Sequence, residues 1–153
     1  MTRQRRWNMR TSPRTAIAVL LLALLTGCAA TEPVSEDSLY RALGERQGIA
    51  VIVDGLLFRI SENSRIAHHF ASAEPARLHR TLTEQFCVLA GGPCTYSGDD
   101  MVEVHTGMAI TEAEFNSLVE DLIAVMEEQR IPITAQNRLL AKLVPLREKI
   151  IRL

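Results

Sequence analysis

The residue of this 153-residue chain best suited to metal chemistry is His105, in a glycine-broken segment between Gly91 and Ile110. Imidazole is a strong ligand for iron, copper and zinc. As the single histidine of this segment, His105 suits a cofactor that brings its other ligands with it, as haem does. From residue type and spacing alone, a surface histidine or a hydrogen-bonded core histidine is the commoner alternative.

Short motifs around this histidine resemble those of the group I truncated haemoglobins, also called two-over-two globins. The motifs are Gly91-Gly92-Pro93, Tyr96-x-Gly98, Met101, His105-x-Gly107, Ile110-Thr111, and in the same order elsewhere Leu39-Tyr40-x-x-Leu43-Gly44, Phe70, Ala76-Arg77-Leu78 and Val144-Pro145-Leu146-Arg147. Glu45 stands where the family usually has a second glycine in the first turn. The resemblance covers roughly residues 38–151 and implies an all-α, two-over-two helical sandwich around haem.

The resemblance also implies roles for individual residues. His105 would be the proximal ligand, binding iron through Nε2 while Nδ1–H points to a backbone carbonyl. Phe70 would lie against the distal face of the porphyrin, and Tyr96 and Met101 would border it on the loop side. No Cys-x-x-Cys-His motif is present, so the expected cofactor is non-covalently bound haem b.

The distal side is where this chain departs from the family pattern. Many members use a tyrosine and a glutamine to donate hydrogen bonds to the bound gas. Leu57 and Leu82 occupy those positions, and Leu78 occupies the position facing the ligand from the start of the next helix. We expect an apolar pocket that retains oxygen weakly, because a donor to its partial negative charge is missing.

Three histidines and two arginines are further candidates for contacts with the iron, its ligand or the haem propionates. A rotated helix would bring His79, or less readily His68 or His69, over the iron as a donor or a sixth ligand. At regular helical spacing His79 should instead point outward, toward solvent or a haem propionate. Arg77 and Arg80 are candidate propionate partners, because guanidinium pairs well with carboxylate.

The N-terminal segment resembles a bacterial lipoprotein signal. Five arginines precede an apolar stretch at residues 16–25, and Leu25-Thr26-Gly27-Cys28 follows. We expect residues 1–27 to be removed, Cys28 to carry the lipid, residues 28–37 to form a flexible linker and residues 38–153 to form the globin domain. The alternative is an uncleaved anchor. Ala29 after the cysteine implies sorting to the periplasmic face of the outer membrane.

Charge and the remaining cysteines complete this picture. Removal of the leader would leave 12 basic against 18 acidic residues, a net charge of −6 with neutral histidines, which argues against nucleic acid as a partner. Cys87 and Cys94 form a disulfide in one interpretation, since an extracytoplasmic compartment is oxidising. In the other they are a buried apolar residue and a loop thiol.

The apolar periodicity predicts four principal helices. The first runs from Arg46 to about Ser61, the second opens at Glu74-Pro75 and closes at Gly91-Gly92, the third begins at a Thr111/Glu114 capping box, and the last starts near Thr134 and is kinked at Pro145. A short turn is expected at Ile66 to Phe70. The inward stripe of the second helix is Leu78, Leu82, Phe86 and Leu89, and that of the last helix is Leu139, Leu140, Leu143, Val144 and Leu146.

These features favour a lipid-anchored haem protein that binds oxygen, carbon monoxide or nitric oxide reversibly. An enzyme that detoxifies nitric oxide or peroxide, with electrons from a separate reductase, is the first alternative. A helical envelope lipoprotein that has lost haem is the second. No nucleotide-binding loop, nucleophile elbow or zinc-binding cluster motif occurs in the sequence.

Overall fold

The structure, a computed structural model, describes residues 38–153, which form only helices, turns and loops. The helices in chain order are α1 (Ser38–Ala42), α2 (Glu45–Glu62), a first 3₁₀ helix (Ala67–Phe70), α3 (Pro75–Leu89), α4 (Met101–His105), α5 (Glu112–Glu128), α6 (Ile133–Leu143) and a second 3₁₀ helix (Val144–Lys149). The all-α prediction is confirmed for this part of the chain. Among the described residues, none of the helices combines the length and apolar character that crossing a bilayer requires.

Helix α2 is the centre of the hydrophobic core. It packs against both α3 and α5. Its buried side chains recur at helical spacing and are Ile49, Ile52, Val53, Leu56 and Ile60. The face predicted from periodicity is therefore the buried face, and Leu57 beside it is half-buried.

The turn between α1 and α2 contains Glu45, the residue that stands in place of a second glycine. Gly44 has φ +82° and Glu45 has φ +59°, so both lie in the left-handed region. Glycine enters that region without cost, whereas a residue with a Cβ is strained there. Glu45 therefore occupies a strained backbone position at the start of α2.

The predicted helix starts are present. The Glu74 carboxylate accepts hydrogen bonds from the backbone N–H groups of Ala76 and Arg77, and Pro75 occupies the first turn of α3. At α5, Thr111 and Glu114 form the full capping box. The backbone and side-chain hydrogen bonds from Thr111, joined by His69, hold the pKa of Glu114 down to about 2.

Two expectations about the later helices were incomplete or wrong. The segment before α5 is not entirely loop, because Asp100 caps the short helix α4 by accepting from Val102 N–H at 2.9 Å. The last α-helix ends at Leu143, and the chain continues as the 3₁₀ helix that contains Pro145. Val144 was predicted to face inward but is 65% exposed, since that change of helix type rotates it away from the core.

Candidate functional site

His105 is the last residue of α4 and is half-buried. Its Nδ1 lies 2.7 Å from the carbonyl oxygen of Met101, one turn earlier, so the Nδ1–H tautomer donates to that carbonyl. The expected bond to a backbone carbonyl is thus present. Nε2 makes no hydrogen bond or ion pair with any residue of the described part of the chain. The ring is oriented by one nitrogen and presents the other as a ligand.

The turn after His105 is held by the far end of the chain. The backbone N–H groups of Gly107 and Ala109 both donate to the Leu153 carbonyl at 3.2 Å, and Arg152 N–H donates to Ile110 at 3.0 Å. Gly107 has φ +82°, which suits glycine. Helix α4 also packs against the second 3₁₀ helix. The backbone that carries His105 is therefore anchored on its C-terminal side.

The loop that leads to α4 is anchored to α3 at two points. A disulfide joins Cys87 of α3 to Cys94, with Cα atoms 5.9 Å apart, so the structure has the paired form of these cysteines. The Glu84 carboxylate accepts from both the hydroxyl and the backbone N–H of Ser97, at 2.6 and 2.9 Å. These two hydrogen bonds lower the pKa of Glu84.

Tyr96 and Met101, predicted on the loop side of the site, are both half-buried. The Tyr96 hydroxyl donates to the backbone carbonyl of Asp99 at 3.0 Å, and burial of the ring, with Asp99 nearby, raises the pKa of this phenol. The Gln85 amide of α3 donates to the thioether sulfur of Met101 at 3.2 Å. That contact links the helix of His105 to α3.

The predicted distal residues come from α2, α3 and the first 3₁₀ helix. Leu57, Leu78, Leu82 and Phe70 are half-buried, and Phe86, which was also predicted to contact the haem from the inward stripe of α3, is 4% exposed. None of these side chains carries a hydrogen-bond donor. The polar neighbours on α3 are turned to the backbone: Thr81 donates to the carbonyls of Arg77 and Leu78, and Thr83 donates to that of His79.

The histidines considered as distal groups have carboxylate neighbours instead. Nε2 of His79 lies 3.0 Å from Oδ1 of Asp54 on α2. Nε2 of His69 lies 3.1 Å, and that of His68 3.7 Å, from Oε1 of Glu114. Each imidazole is therefore directed to a neighbouring helix.

The two arginines considered as propionate partners differ in how closely each is paired with a carboxylate. The Arg77 guanidinium is 2.5 Å from Asp99, an ion pair that spans the start of α3 and the loop before α4. Arg80 is more loosely held, 3.9 Å from Glu84 one turn later, and its side chain is 55% exposed. Arg80 is thus the more available of the two cations.

Several residues that shape the site were not identified from the sequence. Asp100 could have been recognised, since an aspartate directly before a short run ending in histidine is a helix-capping pattern. Gln85, Glu84 and the Leu153 carbonyl could not, because each acts on a partner distant in sequence. Cys28, predicted to carry lipid, lies outside the described residues together with the whole predicted leader and linker.

Comparisons with known proteins agree with this architecture. Residues 38–152 match the family described as bacterial-like globin. A group 1 truncated hemoglobin from Synechocystis is 30% identical over 101 residues, which cover 63% of this chain and 81% of the relative. One from Mycolicibacterium paratuberculosis is 26% identical over 113 residues, covering 74% and 83% respectively.

Solved structures show the same fold. The truncated hemoglobin of Tetrahymena pyriformis in its Fe(III) form superposes with a TM-score of 0.72 at 23% identity, covering 75% of this chain and 98% of that one. The 2/2 hemoglobin of Synechococcus, solved in the cyanomet state with covalently attached heme, has a TM-score of 0.69 at 17% identity, over 74% and 97%. The helical arrangement is therefore the two-over-two globin fold, and the chain belongs to the bacterial-like globin family.

Proposed function

We propose that this chain is a haem-binding globin that binds a diatomic gas reversibly, with His105 as the proximal ligand. The observation that carries the proposal is the state of the His105 ring. Nδ1 is engaged by the Met101 carbonyl at 2.7 Å, while Nε2 has no partner among residues 38–153. A histidine held in one tautomer by a backbone carbonyl is how proteins prepare an imidazole for a metal.

The apolar residues around the site fit a porphyrin. Leu57, Leu82 and Phe70 pack against the core but keep part of their surface accessible, as expected for side chains that a flat apolar cofactor would cover. When bound, haem supplies an iron atom with one coordination position open to a gas. Gas binding in the ferrous state would require an electron donor, for which a separate reductase is the proposed partner.

Non-covalent attachment of haem b is part of the proposal. Cys87 and Cys94 are bonded to each other, so neither offers a free thiol to the cofactor in this state. One of the similar solved structures carries covalently attached heme, so attachment needs a direct test. Extraction into acidified butanone should remove the haem completely from the full chain. A protein of increased mass that retains its Soret absorption after extraction would contradict non-covalent attachment.

The leucines set the expected gas preference. Leu57, Leu78 and Leu82 offer no donor to a gas ligand, and the hydroxyls of Thr81 and Thr83 are already bonded to backbone carbonyls. Charge-assisted hydrogen bonds contribute roughly 1.5–3 kcal/mol. Oxygen should therefore dissociate quickly, whereas carbon monoxide, which depends less on such a donor, should be held normally.

Introducing a donor tests this directly. In Leu82→Gln, oxygen dissociation measured by stopped flow should slow by roughly tenfold to a hundredfold, the equivalent of one charge-assisted hydrogen bond. Leu82→Met keeps the size and apolar character, so it is the matched control and should leave the rate near that of the wild type. Equal oxygen rates in the two variants would contradict an apolar distal wall.

The proximal ligand is tested by spectra of the full chain produced with haem. The wild type should show a stoichiometric Soret band that shifts with carbon monoxide, and His105→Ala should lose or displace it. His79→Ala is the control, because that ring pairs with Asp54, and its spectrum should be unchanged. A wild type that takes up no haem would leave the haem-free structural lipoprotein as the interpretation. A six-coordinate ferrous spectrum without added gas would instead indicate an internal distal ligand.

We also propose a location at the cell envelope, anchored by lipid on Cys28 to the periplasmic face of the outer membrane. The support is the arginine-rich leader, the apolar stretch at residues 16–25 and the Leu25-Thr26-Gly27-Cys28 sequence. The Cys87–Cys94 disulfide suits an oxidising compartment. Mass spectrometry should find residues 1–27 removed and diacylglycerol on Cys28, and Cys28→Ala should abolish both. An unmodified chain beginning at residue 1 would contradict this assignment.

A further inference from the structure

A second group of metal-ligating side chains lies outside the haem site. His68 and His69 of the first 3₁₀ helix and Glu114 in the first turn of α5 each bring one ligand atom into a cluster in which all three atoms are within 4.8 Å of one another. Glu114 follows His69 by 45 positions and His68 by 46 in the sequence, so only the fold brings the carboxylate beside the two histidines.

The spacing of these atoms suits a transition-metal ion. Oε1 of Glu114 is 3.1 Å from Nε2 of His69 and 3.7 Å from Nε2 of His68. Ligands about 2.0–2.1 Å from a tetrahedral zinc ion are separated by roughly 3.3 Å. The two observed distances lie on either side of that value. Small side-chain adjustments would bring three ligands to a single ion.

The hydrogen bonding leaves the ligand atoms available. Oε2 of Glu114 accepts from the Thr111 N–H and hydroxyl at 2.8 and 2.7 Å, which fixes the carboxylate while Oε1 remains for the histidines. The Nε2 atom of His69 is buried and faces Oε1 of Glu114 at 3.1 Å, without a well-aligned hydrogen bond between them. The His69 side chain is 11% exposed and that of His68 is 62% exposed, so the cluster has one sheltered side and one side open to solvent.

We infer that His68, His69 and Glu114 form a binding site for a divalent transition metal such as Zn²⁺. Two imidazoles and one carboxylate are a recurrent zinc donor set, and the solvent-facing side leaves a fourth position for water. The bound ion joins the 3₁₀ helix that ends at Phe70 to the beginning of α5. This site shares no residue with the proposed haem ligand His105.

The test uses the full chain loaded with haem, stripped of other metals with a chelator and titrated with Zn²⁺ by calorimetry. One Zn²⁺ per chain should bind, and zinc K-edge absorption, which is insensitive to iron, should show imidazole ligands at about 2.0–2.1 Å. Loss of a metal's outer-shell partner costs roughly tenfold or more in affinity. Loss of a direct ligand in His69→Ala should therefore weaken zinc binding at least tenfold.

Two further variants separate a ligand role from a structural one. Glu114→Gln keeps the capping box, which accepts glutamine as well as glutamate, and should weaken zinc binding while its helix content is unchanged. His79→Ala removes a histidine outside the cluster and should bind Zn²⁺ as the wild type does. Absence of zinc uptake by the wild type, or equal affinity in wild type, His69→Ala and Glu114→Gln, would overturn the site and leave the cluster as a histidine–glutamate ion pair.

Discussion

Removing the Cys87–Cys94 disulfide should measurably destabilise the fold, and the size of the effect follows from its place in the chain. The two cysteines are 7 positions apart in sequence, so the bridge closes a short loop. The chain-entropy relation for a closed loop of about 8 residues gives roughly 2.5 kcal/mol at 25 °C. For a domain of this size, that free energy corresponds to a fall in melting temperature of roughly 10 °C.

The assay is equilibrium unfolding of the haem-loaded chain in its ferrous carbon monoxide form, so that added reductant does not change the iron state. Wild type with and without dithiothreitol is compared with the Cys87→Ala/Cys94→Ala double variant. Reduction should lower the free energy of unfolding of the wild type by about 2.5 kcal/mol and leave the double variant unchanged.

The double variant also separates the cross-link from packing. Cys87 is fully buried, so truncation to alanine removes core contacts as well as the bridge. The difference between reduced wild type and the double variant measures that packing loss. The entropic reasoning would be refuted if reduction left wild-type stability unchanged, or if the double variant responded to dithiothreitol as the wild type does.

Two further predictions concern glutamates in the described fold. Glu45→Gly should be more stable than Glu45→Ala by roughly 0.5–1 kcal/mol in thermal unfolding, because glycine relieves the strain at φ +59°. Both variants lose the same charge, so the comparison isolates the backbone effect. An alanine variant at least as stable as the glycine variant would argue against strain at this turn. Glu84 has a lowered pKa in the folded state, so its contribution to stability is present above its ordinary value of 4.5 and is lost as pH falls below it. The free energy of unfolding should therefore fall more between neutral and acidic pH for wild type than for Glu84→Gln. An equal fall in the two proteins would show that the Ser97 hydrogen bonds to this carboxylate are not coupled to folding.

Much of the architecture was predictable from local pattern. The apolar spacing of α2 identifies its buried face, Glu74-Pro75 marks the start of α3, and Thr111 with Glu114 marks the start of α5. Helix periodicity and capping depend on residues only a few positions apart, so the sequence contains them directly. His105 was identified by its motif, and its bond to Met101 lies within one helical turn.

Tertiary structure decided the contacts that join distant segments. The choice between a disulfide and separate thiols for Cys87 and Cys94, the pairing of His79 with Asp54, and the cluster of His68 and His69 with Glu114 all depend on how helices pack. Composition and periodicity predict which face of a helix is buried, but they do not specify which side chain of another helix lies opposite. The sequence by itself therefore determined the helices and the candidate ligand, and the packing of those helices determined which polar groups are already paired and which remain available to bind a metal.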